Sequence, residues 1–279
     1  MGSEKQEALV TELIEGGADL AGATMGGALG LIGGPPGVAA GAAGGVLVSR
    51  GLRRVGAELK RRILGPREEV RVGAALAFAG DYIKSRLDAG DEPRDDGFFE
   101  ETEGRRVDAE ELLEGVLLEA GRSYQEQKVP YLGRLYGGIV FDDRISASYG
   151  HFLVKLMERL TYRQLAAIAF LMDPRSADAI VQADVARKEG DLRSTEDIIA
   201  ELDELARAGV LGIGQPGGHV SNPAATLGGG NFHSTDLVSL ALTPIGKDLF
   251  ELSGLAAIPE EDQAEVLQEL QGGWRTRAG

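Results

Sequence analysis

The side chains best suited to chemistry are few. His151, His219 and His233 are the three histidines, and the chain has no cysteine. That removes disulfides, thiolate metal sites and a cysteine nucleophile. His219 and His233 fall in one Gly/Asn/Pro-rich stretch, but two imidazoles without a nearby carboxylate or cysteine do not define a metal site. The spacing of Gly26-Gly27 and Gly30 suggests a dinucleotide loop, yet no hydrophobic strand precedes it and no acid follows at about twenty positions. Gly228-Gly229-Gly230 has no following Lys-Ser/Thr, and no serine sits in a nucleophile elbow. The expectation is a non-enzymatic protein with no catalytic residue, cofactor or metal.

The stretch with the strongest physical signature is Leu20 to Ser49, thirty residues without a charge and ten of them glycine. Gly22, Gly26, Gly30 and Gly34 recur at every fourth position, and Gly37, Gly41 and Gly45 repeat the spacing after Pro35-Pro36. On a helix that period makes one glycine stripe, against which a second helix can approach backbone to backbone. The prolines divide the run into arms of seventeen residues (18–34) and thirteen (37–49), about 25 and 20 Å long as helices and short of a roughly 30 Å hydrocarbon core. Large apolar residues are sparse, so the reading is a glycine-zipper hairpin that inserts conditionally and oligomerises. A Gly/Ala-rich helical pair buried in a soluble assembly and a low-complexity leader are the alternatives.

Directly afterwards Arg50, Arg53, Arg54, Lys60, Arg61 and Arg62 gather, with Leu52, Val55, Gly56, Leu59 and Ile63 between them at helical spacing. A basic amphipathic helix beside an apolar run suits the headgroups of an anionic inner leaflet, at roughly 1 kcal/mol per basic residue. It places the remainder of the chain in the cytoplasm; a solvated helix face is the other reading. The first fifteen residues carry four acids and one lysine, unlike a secretory signal. The expected localisation is cytoplasmic with conditional inner-membrane association.

The elements that would position this segment are predicted to be mainly helical. Residues 1–64 form the membrane-interacting segment, 65–160 a helical domain, 161–258 a winged-helix-like α+β domain and 259–279 a terminal helix and tail. Gly65-Pro66 ends the basic helix and Arg67 to Leu87 resumes one. Asp88 to Gly104 is acidic with Gly and Pro and reads as an exposed loop that Phe98 and Phe99 pin. Asp108 is the expected N-cap of a helix running to Gln127, and Pro130 interrupts before Tyr131 to Phe141. Thr161 should cap a helix that buries Leu165, Ile168, Ala169 and Met172. Ser194 to Gly209, a strand Val210–Ile213, a loop from Gln215 to Asn231, a strand Leu237–Leu242 and a helix Ile245–Leu252 follow in winged-helix order.

A DNA reader needs a basic face. From Asp173 to Ile258 six Lys/Arg stand against thirteen Asp/Glu, within a chain of net charge −15, so nucleic acid is an unlikely partner.

The phrases EELLEGVLLEAGRSYQEQKVPYLGRLYGGIVFDD, LTYRQLAAIAFL and LTPIGKDLFELSGL make the stretch from Val107 to Leu255 resemble the abortive-infection alpha-type proteins of bacterial antiphage defence. The glycine-zipper leader departs from that layout. It is similar to the inserting leader of HeLo-like cell-death effectors. The resemblance implies a membrane-permeabilising defence effector, a homo-oligomer acting on an anionic membrane and controlled by an unknown protein trigger or partner; it supplies no catalytic residues. A soluble oligomeric scaffold and a winged-helix regulator are the alternatives.

Overall fold

The computed structural model describes residues 43–59, 65–101, 104–173, 176, 178, 180–181, 196–214, 220–221 and 239–270. They are mainly helical. They divide into two units: the first runs up to Arg159 and takes in Leu252–Gly254, and the second holds Leu160–Glu251 and the chain from Leu255 on.

The first unit contains α1 (Ala43–Leu59), α2 (Pro66–Asp88), α3 (Asp108–Arg122), α4 (Val129–Ile139) and α5 (Ala147–Arg159). Pro66 opens α2, where its missing N–H costs nothing, and the Gly65 N–H donates to Glu68 Oε2 at 2.9 Å. The apolar face of α3 is fully buried: Leu112, Leu113, Val116, Leu117 and Ala120. Asp108 is not the N-cap, which is Val107, with Asp108 the first helical residue. The Glu110 and Glu111 N–H groups, which an N-cap at 108 would serve, donate to Val107 O at 3.0 Å, and the Ala109 N–H donates to Phe98 O at 3.1 Å, so backbone carbonyls satisfy this first turn. Pro130 does not interrupt; it lies in the first turn of α4, after a single 3₁₀ turn at Glu126–Lys128.

Helix α2 packs most extensively on α4, and small residues make that contact close. A Cβ on Gly133 would stand 2.3 Å from Ala75 O, and one on Gly137 would stand 2.8 Å from the Tyr82 ring. Spaced four apart, the two glycines are a small-xxx-small pair inside the helical body.

The acidic loop is anchored rather than wholly exposed. Pro93, Arg94 and Phe98 are buried. Arg94 donates to Ile145 O at 2.6 Å and to Asp96, and its guanidinium lies 4.5 Å from the Phe98 ring centre. That guanidinium holds the Asp96 carboxyl below its usual range. One buried cation thus supplies a clamp that loop composition does not reveal.

Lys128 is buried and donates to Glu158 O at 3.0 Å, near the C-terminus of α5. Burial pushes its amine down to about 8 against the opposing pull of Glu158 and Glu119. Between pH 8 and the ordinary lysine value of 10.5 the unfolded chain holds a proton that the folded chain has released, so this group makes stability rise with pH. We expect Lys128→Met to remove that rise. Urea midpoints of variant and native protein at pH 7.5 and pH 10 should differ by unequal amounts; a constant difference would refute the assignment.

The second unit contains α6 (Tyr162–Met172), α7 (Glu196–Arg207), β1 (Leu211–Gly214), β2 (Val220–Ser221), β3 (Leu240–Leu242), α8 (Pro244–Leu252, its last residue belonging to the first unit) and α9 (Glu260–Leu270). Thr161 caps α6 as expected: its Oγ1 accepts from the Gln164 N–H at 3.1 Å, while Gln164 Oε1 accepts from the Thr161 N–H at 2.9 Å. Thr161→Ala should cost about 1 kcal/mol, read as a lower urea midpoint. Ile198, Ile199, Leu202 and Leu205 of α7 are buried as their spacing predicts. The strands form an antiparallel sheet of order β2-β1-β3, with Leu211 opposite Leu242 and Ile213 opposite both Leu240 and Ser221. Strand β2 lies inside the stretch read as loop; two residues are too short for an alternating pattern to register.

Candidate functional site

Of the residues singled out in the sequence, Gly22, Gly26, Gly30, Gly34, Gly37 and Gly41 lie outside the described residues, as do Lys60, Arg61 and Arg62. So do His219 and His233. Gly45, Arg50, Arg53 and Arg54 are all on α1. The site that can be built is therefore the place where α1, the continuation of the glycine-rich run, meets the helical body.

Helix α1 is amphipathic. Val48, Leu52 and Val55, at spacings of four and three, are 1%, 2% and 1% exposed, and Gly56 is buried beside them. This face packs on α3 and α2. Each such side chain contributes about 1.5–3 kcal/mol when fully buried, an upper bound because a real unfolded chain already buries some of it. Arg50, Arg53 and Arg54 are exposed. Although grouped with residues 1–64 in the sequence, this helix belongs to the first unit.

The rim of the seat is charged. Glu110, in the first turn of α3, is 8% exposed. Its Oε1 accepts from Arg54 at 3.2 Å, and its Oε2 lies 4.0 Å from Arg106. Arg54 also reaches Glu101 at 3.7 Å; Arg106 reaches Glu58 of α1 at 3.5 Å and donates to Glu114. Gly51 faces the stem of the Glu110 side chain, since a Cβ there would meet Glu110 Cγ at 3.9 Å, an ordinary contact. The nearby Tyr136 phenol is fully buried; burial first, and then the Glu110 charge, pushes its ionisation upward.

These pairs differ in worth. Arg54–Glu101 joins two largely exposed side chains, 61% and 81%, and such pairs contribute at most about 1 kcal/mol. Glu110 is different, because stripping a buried carboxylate of its cations leaves an uncompensated charge. Glu110 is the hub of the seat. It was legible only as a favourable charge for the helix N-terminus, and Arg106 and Glu101 carried no signal. The available clue was the opposition of sign between the basic run at 50–62 and the acidic run at 108–114.

The arrangement holds a helix against the body by one apolar face and a charged rim. Among the described residues no group of three His, Cys, Asp or Glu could hold a metal ion, and no helix is long and apolar enough to cross a membrane. In the second unit two acids of α7 meet α6: Glu201 lies 3.3 Å from Arg163, and Glu204 accepts from Gln164 at 3.0 Å. No protein-family model, curated protein or solved structure matches the chain.

Proposed function

We propose that this chain is a non-enzymatic membrane-targeting effector of bacterial defence or cell death, held quiescent by its own helical body. The observation that supports the reading is the burial of Val48, Leu52 and Val55 beneath the Arg54–Glu110 pair. A helix lying among headgroups would turn that same face toward acyl chains, so seating on the body and binding lipid compete for one surface. On release, the glycine faces from Gly22 to Gly45 stack between copies as a zipper hairpin, with Arg50, Arg53, Arg54, Lys60, Arg61 and Arg62 at the headgroups. The second unit acts as a winged-helix-like platform for a protein trigger. Its acidic α7 is unsuited to a nucleic-acid backbone.

Vesicle flotation tests this. Glu110→Lys sets a cation beside Arg54 and Arg106 and should raise the bound fraction on anionic vesicles severalfold over the native chain. Adding Gly26→Leu and Gly30→Leu to that variant should abolish dye leakage while leaving its helical circular dichroism intact. An unchanged or reduced bound fraction for Glu110→Lys sinks the proposal.

A second reading has an observation in its favour. Gly133 and Gly137 already use four-residue glycine spacing to pack helices within the body, so the same device in residues 22–45 could serve a soluble oligomeric scaffold. That version gives a stable oligomer without lipid and no flotation for any variant.

A further inference from the structure

We propose that α1 is an exchangeable element: two copies of this chain associate by each placing α1 in the other's seat. This needs no membrane and stands apart from the effector reading. The seat is selective. Whatever covers it must present apolar residues at the spacing of Val48, Leu52 and Val55 and a guanidinium placed like Arg54. On charge and shape, the occupant that fits a vacated seat is the α1 of a second copy.

Among the described side chains of α1, Val48, Leu52 and Val55 are buried while Arg50, Arg53 and Arg54 remain exposed, so one face of the helix makes the hold. Its tether also has reach: the six peptide links from Leu59 to Gly65 span up to about 20 Å when extended. Exchange of an identical element reuses every native contact, which makes it a low-cost route to dimers. The intramolecular seat enjoys an effective concentration on the order of millimolar, so exchange grows with protein concentration.

A charge-reversal pair separates exchange from ordinary association. In Arg54→Glu the altered α1 is repelled by its own Glu110, and in Glu110→Lys the altered seat repels its own Arg54. Mixed, the two chains satisfy both seats only by exchanging α1: one seat regains the native pair and the other holds the reversed pair. Sedimentation velocity should show an equimolar mixture forming a one-to-one dimer at least tenfold more tightly than either variant alone. A mixture that sediments as the sum of its parts overturns the proposal. Should Glu110→Lys fail to fold, the absence of native cysteine allows a second measurement. Chains carrying Gly51→Cys and chains carrying Glu110→Cys are mixed and oxidised. A disulfide between positions 51 and 110 of different chains supports exchange; no such linkage in the mixture, while a control chain carrying both substitutions forms it internally, overturns it.

Discussion

Gly133→Ala should destabilise the first unit by about 3 kcal/mol, the upper part of the range for overpacked cores. The added methyl would stand 2.3 Å from Ala75 O, 3.0 Å from Ala79 N and 3.1 Å from Phe78 Cβ. Two of those atoms are backbone and the third is a Cβ, so no side chain can swing aside and α2 and α4 must part. Alanine's better helix propensity returns at most about 1 kcal/mol. The matched control is Gly115→Ala on α3, where nothing lies within 4 Å of the new Cβ and propensity alone should stabilise by about 0.5–1 kcal/mol. Urea midpoints moving in opposite directions are the expected result. A Gly133→Ala chain as stable as the native one would show that the two helices are not in contact at this position.

Gly246→Ala should cost the second unit about 2–3 kcal/mol for a related reason. Its Cβ would stand 2.4 Å from Val210 O and 2.9 Å from Leu242 Cδ2. That carbonyl cannot retreat freely, because it accepts from the Thr243 N–H at 3.0 Å, while the Thr243 hydroxyl beside it donates to Gly209 O at 2.5 Å. The same hydroxyl accepts from the Gly246 N–H at 3.2 Å, so one small knot joins the start of α8 to β1 and β3. Amide hydrogen exchange should show protection falling in α7, β1 and β3 while α3 and α4 keep theirs. Uniform loss across both units would mean that they unfold as one.

The elements that the sequence announces are those with local rules. The Thr161–Gln164 box, the apolar stripe of α3 and the spacing of Ile198, Ile199, Leu202 and Leu205 each follow from helical geometry within a dozen residues. What escapes is long-range. Val107 stands at the N-cap in place of Asp108, with the distant Phe98 carbonyl taking the Ala109 N–H, and Arg94 ties down a loop whose composition is that of an exposed segment. Strand β2 exists through its partner β1 rather than through any pattern of its own. The same distinction governs the candidate site. The basic face of α1 was legible as a face, whereas its partner Glu110 lies 56 positions from Arg54 and its pairing with that arginine is a product of folding alone. The glycine stripe was legible as a means of close helix approach. Gly133 and Gly137 show the same device at work in a part of the chain where only an apolar helix was expected.

The assignment of Leu252–Gly254 to the first unit has a consequence for how the protein is made. A ribosome finishes Arg159 on the order of 5–20 s before it reaches Leu252 at common elongation rates. Until then Gly138 lacks the neighbour whose carbonyl a Cβ there would meet at 2.4 Å, and Arg134 lacks Gly254 beside it. The surroundings of α4 are therefore completed late in synthesis, long after α1 and the two helices it packs on, α2 and α3, have emerged. The nascent chain holds a seat for α1 before it holds a finished first unit.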